Sequence, residues 1–300
     1  MHIKKTVRKL LFNISSGIMD ILYRRPYSDP EAKERLRSEN KLLHLDLVIT
    51  ECCSLKCRNC SNLMQYYSSP CNLTSEDVIN DIGTLLECIS IGELKIIGGE
   101  PFVNQGVLTD VLQYLSENYT QKVDTINIIT NGTIIPNEDC ISTLAGIPRV
   151  IVTFSNYGNL SSHQEEFIKL CKQKGIRYSI IDDSFYWLDF GRPDKYDEPQ
   201  EFVYRQYNNC YNRKNCNALY RGCLYVCPRQ AHGIHLGMLP DINDEYVDLH
   251  ASSYGNTDEL RHSVIELVRR KTPISSCSYC IIGKYVHIPR AVQQRRSDPF

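Results

Sequence analysis

Nowhere in the 300 residues does an uninterrupted apolar run approach the roughly 18 residues that a membrane-crossing helix needs. Net charge is nearly absent too. The 34 Lys and Arg stand against 35 Asp and Glu, which removes any whole-chain electrostatic case for binding nucleic acid. Residues 1–25 show no small-residue cleavage site of the kind that ends a secretory leader. No internal repeat and no low-complexity stretch is seen, and 42% apolar against 23% charged residues is the balance of a folded chain. What the chain has in excess is cysteine, 14 residues in all. Disulfides concentrate in small secreted domains. A long chain without a leader is therefore read as reduced and cytoplasmic, with its cysteines divided between core and metal.

Ile3, Val7, Leu10, Leu11, Ile14, Ile18 and Leu22 fall at helical spacing, with Lys4, Lys5, Arg8 and Lys9 largely on the other side. Such a basic amphipathic helix over residues 1–25 either packs on the domain, the preferred reading, or makes peripheral contact with a membrane. Pro26, Asp29 and Pro30 then break it. From residue 44 a different rhythm begins. Strands are expected at 45–49, 94–97, 125–129, 150–154 and 177–181. Helices are expected at 75–89, where Thr74 and Asp77 make a capping box, at 106–117, near 137–145, and from Ser161 or Ser162 to Gly175. Short apolar strands alternating with helices predict an α/β fold built from parallel βα units. Residues 183–215 are aromatic and polar and read as a connection or a loop covering a substrate.

Cys53, Cys57 and Cys60 form a C-x3-C-x2-C run just past the first strand, the edge where such folds keep their active sites. At this cysteine content, roughly 0.03 such triplets are expected by chance. Three thiolates on one loop can hold a [4Fe–4S] cube by three corners and leave the fourth iron open. Zinc is the competing metal, and packing alone is the plain alternative. Gly98-Gly99-Glu100-Pro101 follows the second strand. Two glycines allow close backbone approach, Glu100 can accept from an ammonium, and Pro101 fixes the turn.

The triplet together with Gly98–Pro101 resembles the radical SAM family. That resemblance implies a partial (βα)6 TIM-like barrel, with a sixth strand near Gly233–Leu236. It implies a [4Fe–4S] cluster on Cys53, Cys57 and Cys60, with S-adenosylmethionine (SAM) chelating the open iron. The methionine end of SAM would meet Gly98, Gly99, Glu100 and Pro101. The ribose and carboxylate would meet Thr130 and Asn131 after the third strand and Ser155 and Asn156 after the fourth. The same residue types are equally common in ordinary βα turns. The family often carries an aromatic before the third cysteine, where this chain has Asn59. Cys52 reads as a neighbour packed under the loop.

Six more cysteines fall in residues 210–300. Cys210 and Cys227 flank a hairpin around Gly222, a helix is expected near 257–270, and Cys277-x2-Cys280 follows. This order resembles the twitch module, a shortened SPASM domain, of radical SAM enzymes. It implies a small C-terminal β-hairpin/helix module with an auxiliary [4Fe–4S] cluster on Cys210, Cys227, Cys277 and Cys280, zinc being the alternative. Cys216 is next in line as a ligand, and Cys223 reads as packing. Cys88, Cys140 and Cys171 read as core, and Cys71 has no assignment. Arg229 and His232 either face a substrate near the second cluster or pack within the module, the slightly preferred reading.

The expected organisation is an N-terminal helix and linker over 1–41, a core over 42–205 and an auxiliary module over 206–300. The resemblance implies an enzyme that cleaves SAM to a deoxyadenosyl radical and takes a hydrogen atom from a substrate. A flavodoxin or ferredoxin would be its electron donor. The substrate is read as a hydroxylated small molecule, a sugar or cyclitol, oxidised with the auxiliary cluster as electron acceptor. A peptide-modifying maturase is one alternative, and a non-catalytic iron–sulfur or zinc protein is another. No general base is assigned.

Overall fold

The computed structural model describes residues 40–181 and 187–295. The chain separates into two compact units, 1–42 and 43–300. The helix expected over residues 1–25 lies outside the described residues.

The βα rhythm is present. Strands β1 (Lys41–Val48), β2 (Ser90–Ile97), β3 (Val123–Thr130), β4 (Val150–Ser155) and β5 (Arg177–Ile181) alternate with helices α1 (Ser75–Cys88), α2 (Gln105–Asn118), α3 (Glu138–Gly146) and α4 (Gln164–Lys174). Three of these helices begin or end for a readable reason. Thr74 accepts from the Asp77 N–H ahead of α1, and Asn137 accepts from the Cys140 N–H ahead of α3. Gly175, at φ 71°, closes α4 in the left-handed region.

The later elements are β6 (Trp187–Leu188), α5 (Gln200–Asn209), α6 (Tyr211–Asn215), β7 (Asn217–Tyr220), β8 (Cys223–Tyr225), α7 (Pro228–His235), β9 (Tyr246–Asp248), α8 (Thr257–Arg269) and β10 (His287–Ile288). The main sheet runs β5-β4-β3-β2-β1-β7-β8-β9. The β2/β3, β3/β4, β4/β5 and β1/β7 pairs are parallel, whereas β8 and β9 add antiparallel. This is a mostly parallel α/β sheet, open at both edges as a partial barrel is, carrying a small hairpin and helix module.

Two expectations are corrected. Residues 233–236 are not a strand: Pro228 pre-sets the first turn of α7, and the helix continues through His235. A Cβ on Gly233 would lie 2.3 Å from Leu239 Cδ1, so the chain folds back tightly at that point. The strand beside β1 is instead β7, with Leu45 opposite Asn217 and Leu47 opposite Leu219. The expected connection over 183–215 also contains α5 and α6. Val203, Gln206 and Tyr207 are the buried positions of α5, at spacings of three and four.

The core lies between the sheet and α1–α4. Leu45, Leu94, Ile96, Ile126 and Val152 of the strands are buried, as are Ile82, Leu85, Leu112 and Leu115 of the helices. Phe167 on α4 meets Phe102 and Phe154 edge-on, with centroids 5.2 and 5.1 Å apart. Each such fully buried side chain contributes about 1.5–3 kcal/mol. The expected hairpin turns on Arg221 and Gly222, both at positive φ, as a two-residue turn between antiparallel strands prefers. Asp81 of α1 holds that turn by accepting from the Gly222 N–H at 2.7 Å.

Candidate functional site

The C-terminal ends of β1 and β2 are pressed together. The Gly99 N–H donates to Thr50 O and the Glu100 N–H to Cys52 O, each at 2.9 Å. A Cβ on Gly98 would lie 2.5 Å from Thr50 O, and one on Gly99 would lie 2.2 Å from Cys52 O. The glycines are therefore demanded by the cysteine loop itself, whatever ligand also approaches them.

On that loop the triplet thiols sit together. Burial pushes Cys53 up to about 12 and Cys57 up to about 11; Cys60 and Cys57 add charge repulsion to Cys53, and Cys60 adds it to Cys57. Burial raises Cys60 as well. Iron binding must therefore expel three thiol protons. The surroundings suit thiolates. The Leu55 N–H points at Cys53 Sγ from 3.5 Å, Asn131 Nδ2 from 3.8 Å, and Gln293 Nε2 reaches Cys57 Sγ at 3.4 Å. Donors aimed at sulfur are what an iron–sulfur cluster uses to stabilise its charge. Among the described residues, no three His, Cys, Asp or Glu side chains converge as ligands of a single metal ion. A cubane is held at separate corner irons, so its thiols need no common point.

Glu100 is fully buried. Its carboxylate accepts from the Phe102 N–H at 3.2 Å, Thr130 Oγ1 at 2.8 Å and the Asn131 N–H at 2.7 Å. Burial still outweighs these bonds and pushes it up to about 7. It ties the ends of β2 and β3 together, with most of its acceptor capacity used internally. Pro101 opens a short turn, Pro101–Asn104, capped by Glu100. Asn131 reaches Ser54 Oγ at 3.1 Å, which puts the end of β3 against the triplet loop. Asn156 caps its own turn by accepting from the Gly158 N–H at 2.9 Å, and the Ser155 carbonyl accepts from Ser161 Oγ at 3.4 Å. Thr130, Asn131, Ser155 and Asn156 thus hold local turns at the same sheet edge. Asn59 stands where an aromatic is usual and donates to Asp189 Oδ1 at 3.4 Å.

Four of the C-terminal cysteines form a set. Cys210, Cys227, Cys277 and Cys280 lie close enough to repel one another when ionised. Burial, the larger effect, lifts Cys227 to about 12 and Cys280 to about 11 and raises the other two. Gln206 of α5 braces this set: its Nε2 donates to the carbonyls of Cys277 and Cys280, both at 3.0 Å. Cys216 faces chiefly Asp46 and Lys95, with Cys227 of the set a lesser influence. Cys223 faces Asp248 and Tyr225 on the hairpin side. The four thiols and their bracing fit an auxiliary cluster. Cys88, Cys140 and Cys171 are buried, and Cys71 is exposed.

Sequence reading missed three residues of the first site. Gln293 belongs to a C-terminal segment that pairs with the triplet loop, where the Arg58 N–H donates to Val292 O at 2.8 Å and the Gln294 N–H to Lys56 O at 2.7 Å. Tyr157 is raised by burial and then by the nearby charges of Cys57, Cys60 and Cys53. Its ring meets Trp187 edge-on at 5.4 Å. Asp189 receives Asn59. None of the three has a local sequence signal; only Tyr157, next to Asn156 at a strand end, stood close to a residue already singled out.

Residues 46–146 match a family model described as a 4Fe-4S single cluster domain. The match spans both the triplet and Gly98–Pro101 and supports the iron–sulfur reading of them. No curated protein matches the chain. Among solved structures, the chain is similar to native anSMEcpe with bound AdoMet, at 15% identity over 76% of this chain and 84% of that one, TM-score 0.48. A likeness to anSMEcpe with AdoMet and the Cp18Cys peptide spans 42% of that chain. The chain is also similar to BtrN in complex with AdoMet and 2-DOIA, at 16% identity over 80% and 94%, TM-score 0.46. Streptococcus suis SuiB bound to precursor peptide SuiA is similar at 14% identity over 85% and 73%, TM-score 0.44. Among the described residues, no helix is long and apolar enough to cross a membrane.

Proposed function

We propose that the protein is a radical SAM oxidoreductase that oxidises a hydroxylated small molecule, with a second iron–sulfur cluster as electron acceptor. The observation that carries the reading is the pair of separate, largely half-buried thiol sets, three on the loop after β1 and four in the C-terminal module. When bound, a three-cysteine [4Fe–4S] cluster with SAM supplies one-electron cleavage of SAM to a carbon radical that takes a hydrogen atom from substrate. The chain's own residues hold and shield that chemistry. Cys53, Cys57 and Cys60 are the ligands. Gly98 and Gly99 allow the loop to lie on the end of β2, and Glu100 locks the β3 end beside it. Gln293 closes the loop from the C-terminal side, and Tyr157 with Trp187 walls the thiols toward α4. Cys210, Cys227, Cys277 and Cys280 hold the acceptor cluster. Removing a carbinol hydrogen atom leaves one further electron and one proton to depart, and that electron needs a nearby acceptor.

The test uses anaerobically reconstituted protein with dithionite and SAM, which should release 5′-deoxyadenosine. A panel of carbinol-deuterated sugars and cyclitols then asks which one transfers deuterium into that product. No 5′-deoxyadenosine from fully iron-loaded protein would overturn the radical reading. Deuterium arriving only from a peptide would overturn the substrate class.

A further inference from the structure

Arg229 sits at the second position of α7, two residues after Cys227. Only 3% of it is exposed. Its Nη2 donates to Gly191 O at 2.8 Å and to Tyr279 O at 3.2 Å. These two carbonyls lead to different thiol sets. Tyr279 immediately precedes Cys280. The Gly191 N–H donates to Asp189 Oδ1 at 2.8 Å, and the same oxygen receives Asn59, the residue immediately before Cys60. One guanidinium is thus a carbonyl away from the second set and a short hydrogen-bonded chain away from the first. A last feature is unexplained by packing: Arg229 Nε is buried with no hydrogen-bond partner. A buried donor without an acceptor is costly, and sulfur is an acceptor that a loaded site would bring.

We propose that Arg229 is a positioning residue shared by the two thiol sets, a single buried cation that ties them together and raises the reduction potential of both clusters. The inference rests on the reading that both sets hold iron–sulfur clusters. The physics is simple. A fixed positive charge beside a cluster favours the form that has gained an electron, and burial leaves that charge poorly screened. Asp189 lies on the opposing side, accepting from the Gly191 N–H and from Asn59. Arg229 is hydrogen-bonded toward both sets, through Gly191 O and Tyr279 O. Reduction adds one electron from an external donor to either cluster, so no other co-reactant is needed.

The experiment is an anaerobic redox titration of reconstituted full-length protein, followed by the spectroscopic signal of each cluster, for wild type, R229Q, R229M and R229K. The expected result is that both neutral variants keep wild-type iron content and show both midpoints moved to more negative values. R229K should return both toward wild type, because the charge is restored without the planar fork. R229M covers the case in which Gln, polar and buried, prevents loading. Midpoints unchanged in a loaded neutral variant would overturn the proposal and leave Arg229 as a brace for two carbonyls. A shift confined to one cluster would overturn the sharing. Loss of irons from every variant, R229K included, would overturn the electrostatic role in favour of a purely structural one. Wild type that holds only one cluster would overturn the reading beneath the proposal, and iron analysis of wild type alone detects that.

Discussion

Gln293 lies on Cys57, with its amide Nε2 donating to the thiol Sγ at 3.4 Å across 236 residues of chain. Its Oε1 accepts from the Lys56 N–H at 2.8 Å, so one side chain grips both the Cys57 sulfur and the backbone beside it. Replacing Gln293 by Ala removes both bonds, each worth about 1 kcal/mol. The first-set irons should then leave several-fold faster to a chelator, with the second-set irons unaffected. Equal release from Q293A and wild type would remove Gln293 from the site.

Gly99 offers a sharper steric test. An added Cβ meets Cys52 O at 2.2 Å and Cys53 Cβ at 2.7 Å. Backbone cannot swing away as a flexible side chain can, so G99A should cost about 3 kcal/mol or more and displace the triplet loop. Gly106, in the first turn of α2, has nothing within 4 Å of its added Cβ. G106A should be neutral or stabilising by up to about 1 kcal/mol, because Ala is the better helix former. Urea unfolding of the two variants compares them directly, and first-set iron content should fall only in G99A.

The parts of this fold that were legible in sequence are those set by local physics. β1–β5 are short apolar runs, Thr74 and Gly175 punctuate helices, and the Cys53–Cys60 spacing lies within one loop. What escaped is set by distance. Nothing near residue 217 announces that β7 will lie beside β1 rather than after β5. α5 hides because one of its three buried positions is Gln206, a polar residue whose partners, the Cys277 and Cys280 carbonyls, lie about seventy residues onward. Glu100 looked like a free acceptor for a ligand because its partners, Thr130 and the Asn131 N–H, belong to the next strand end. All three are tertiary contacts overriding local pattern.

A pH dependence follows from Glu51, which is 3% exposed just past β1. Burial works against its ionisation, but hydrogen bonds from Tyr220, Arg221 and the Cys71 N–H outweigh it and bring it down to about 2. A carboxyl held below its usual value near 4.5 contributes stability that is fully present above that value and is lost as pH falls toward 2. Wild type should therefore lose stability steeply between those two values. E51Q cannot titrate there, so it should start less stable at neutral pH and show a shallower acid limb. Denaturation of the metal-free protein at pH 7 and pH 3 measures both, and parallel acid limbs would show that Glu51 is not the group responsible.

The division of the C-terminal cysteines can be counted in iron. Cys210, Cys227, Cys277 and Cys280 face one another, whereas Cys216 turns toward Asp46 and Cys223 toward Asp248. Two four-iron clusters give about eight irons per chain in wild type. C216A and C223A should keep all of them, because neither thiol belongs to a set. A C277A/C280A variant should keep about four. It should still release 5′-deoxyadenosine, because the triplet is untouched, yet it should fail to complete a two-electron oxidation, because the second electron has no acceptor. The counts discriminate among metals as well as among ligands. Four irons with one zinc in wild type would leave the triplet chemistry standing and sink the electron-acceptor role, because zinc has no redox chemistry with which to receive an electron. Loss of four irons in C216A would move the ligand set by one cysteine and make the Asp46 contact a feature of the metal-free protein alone.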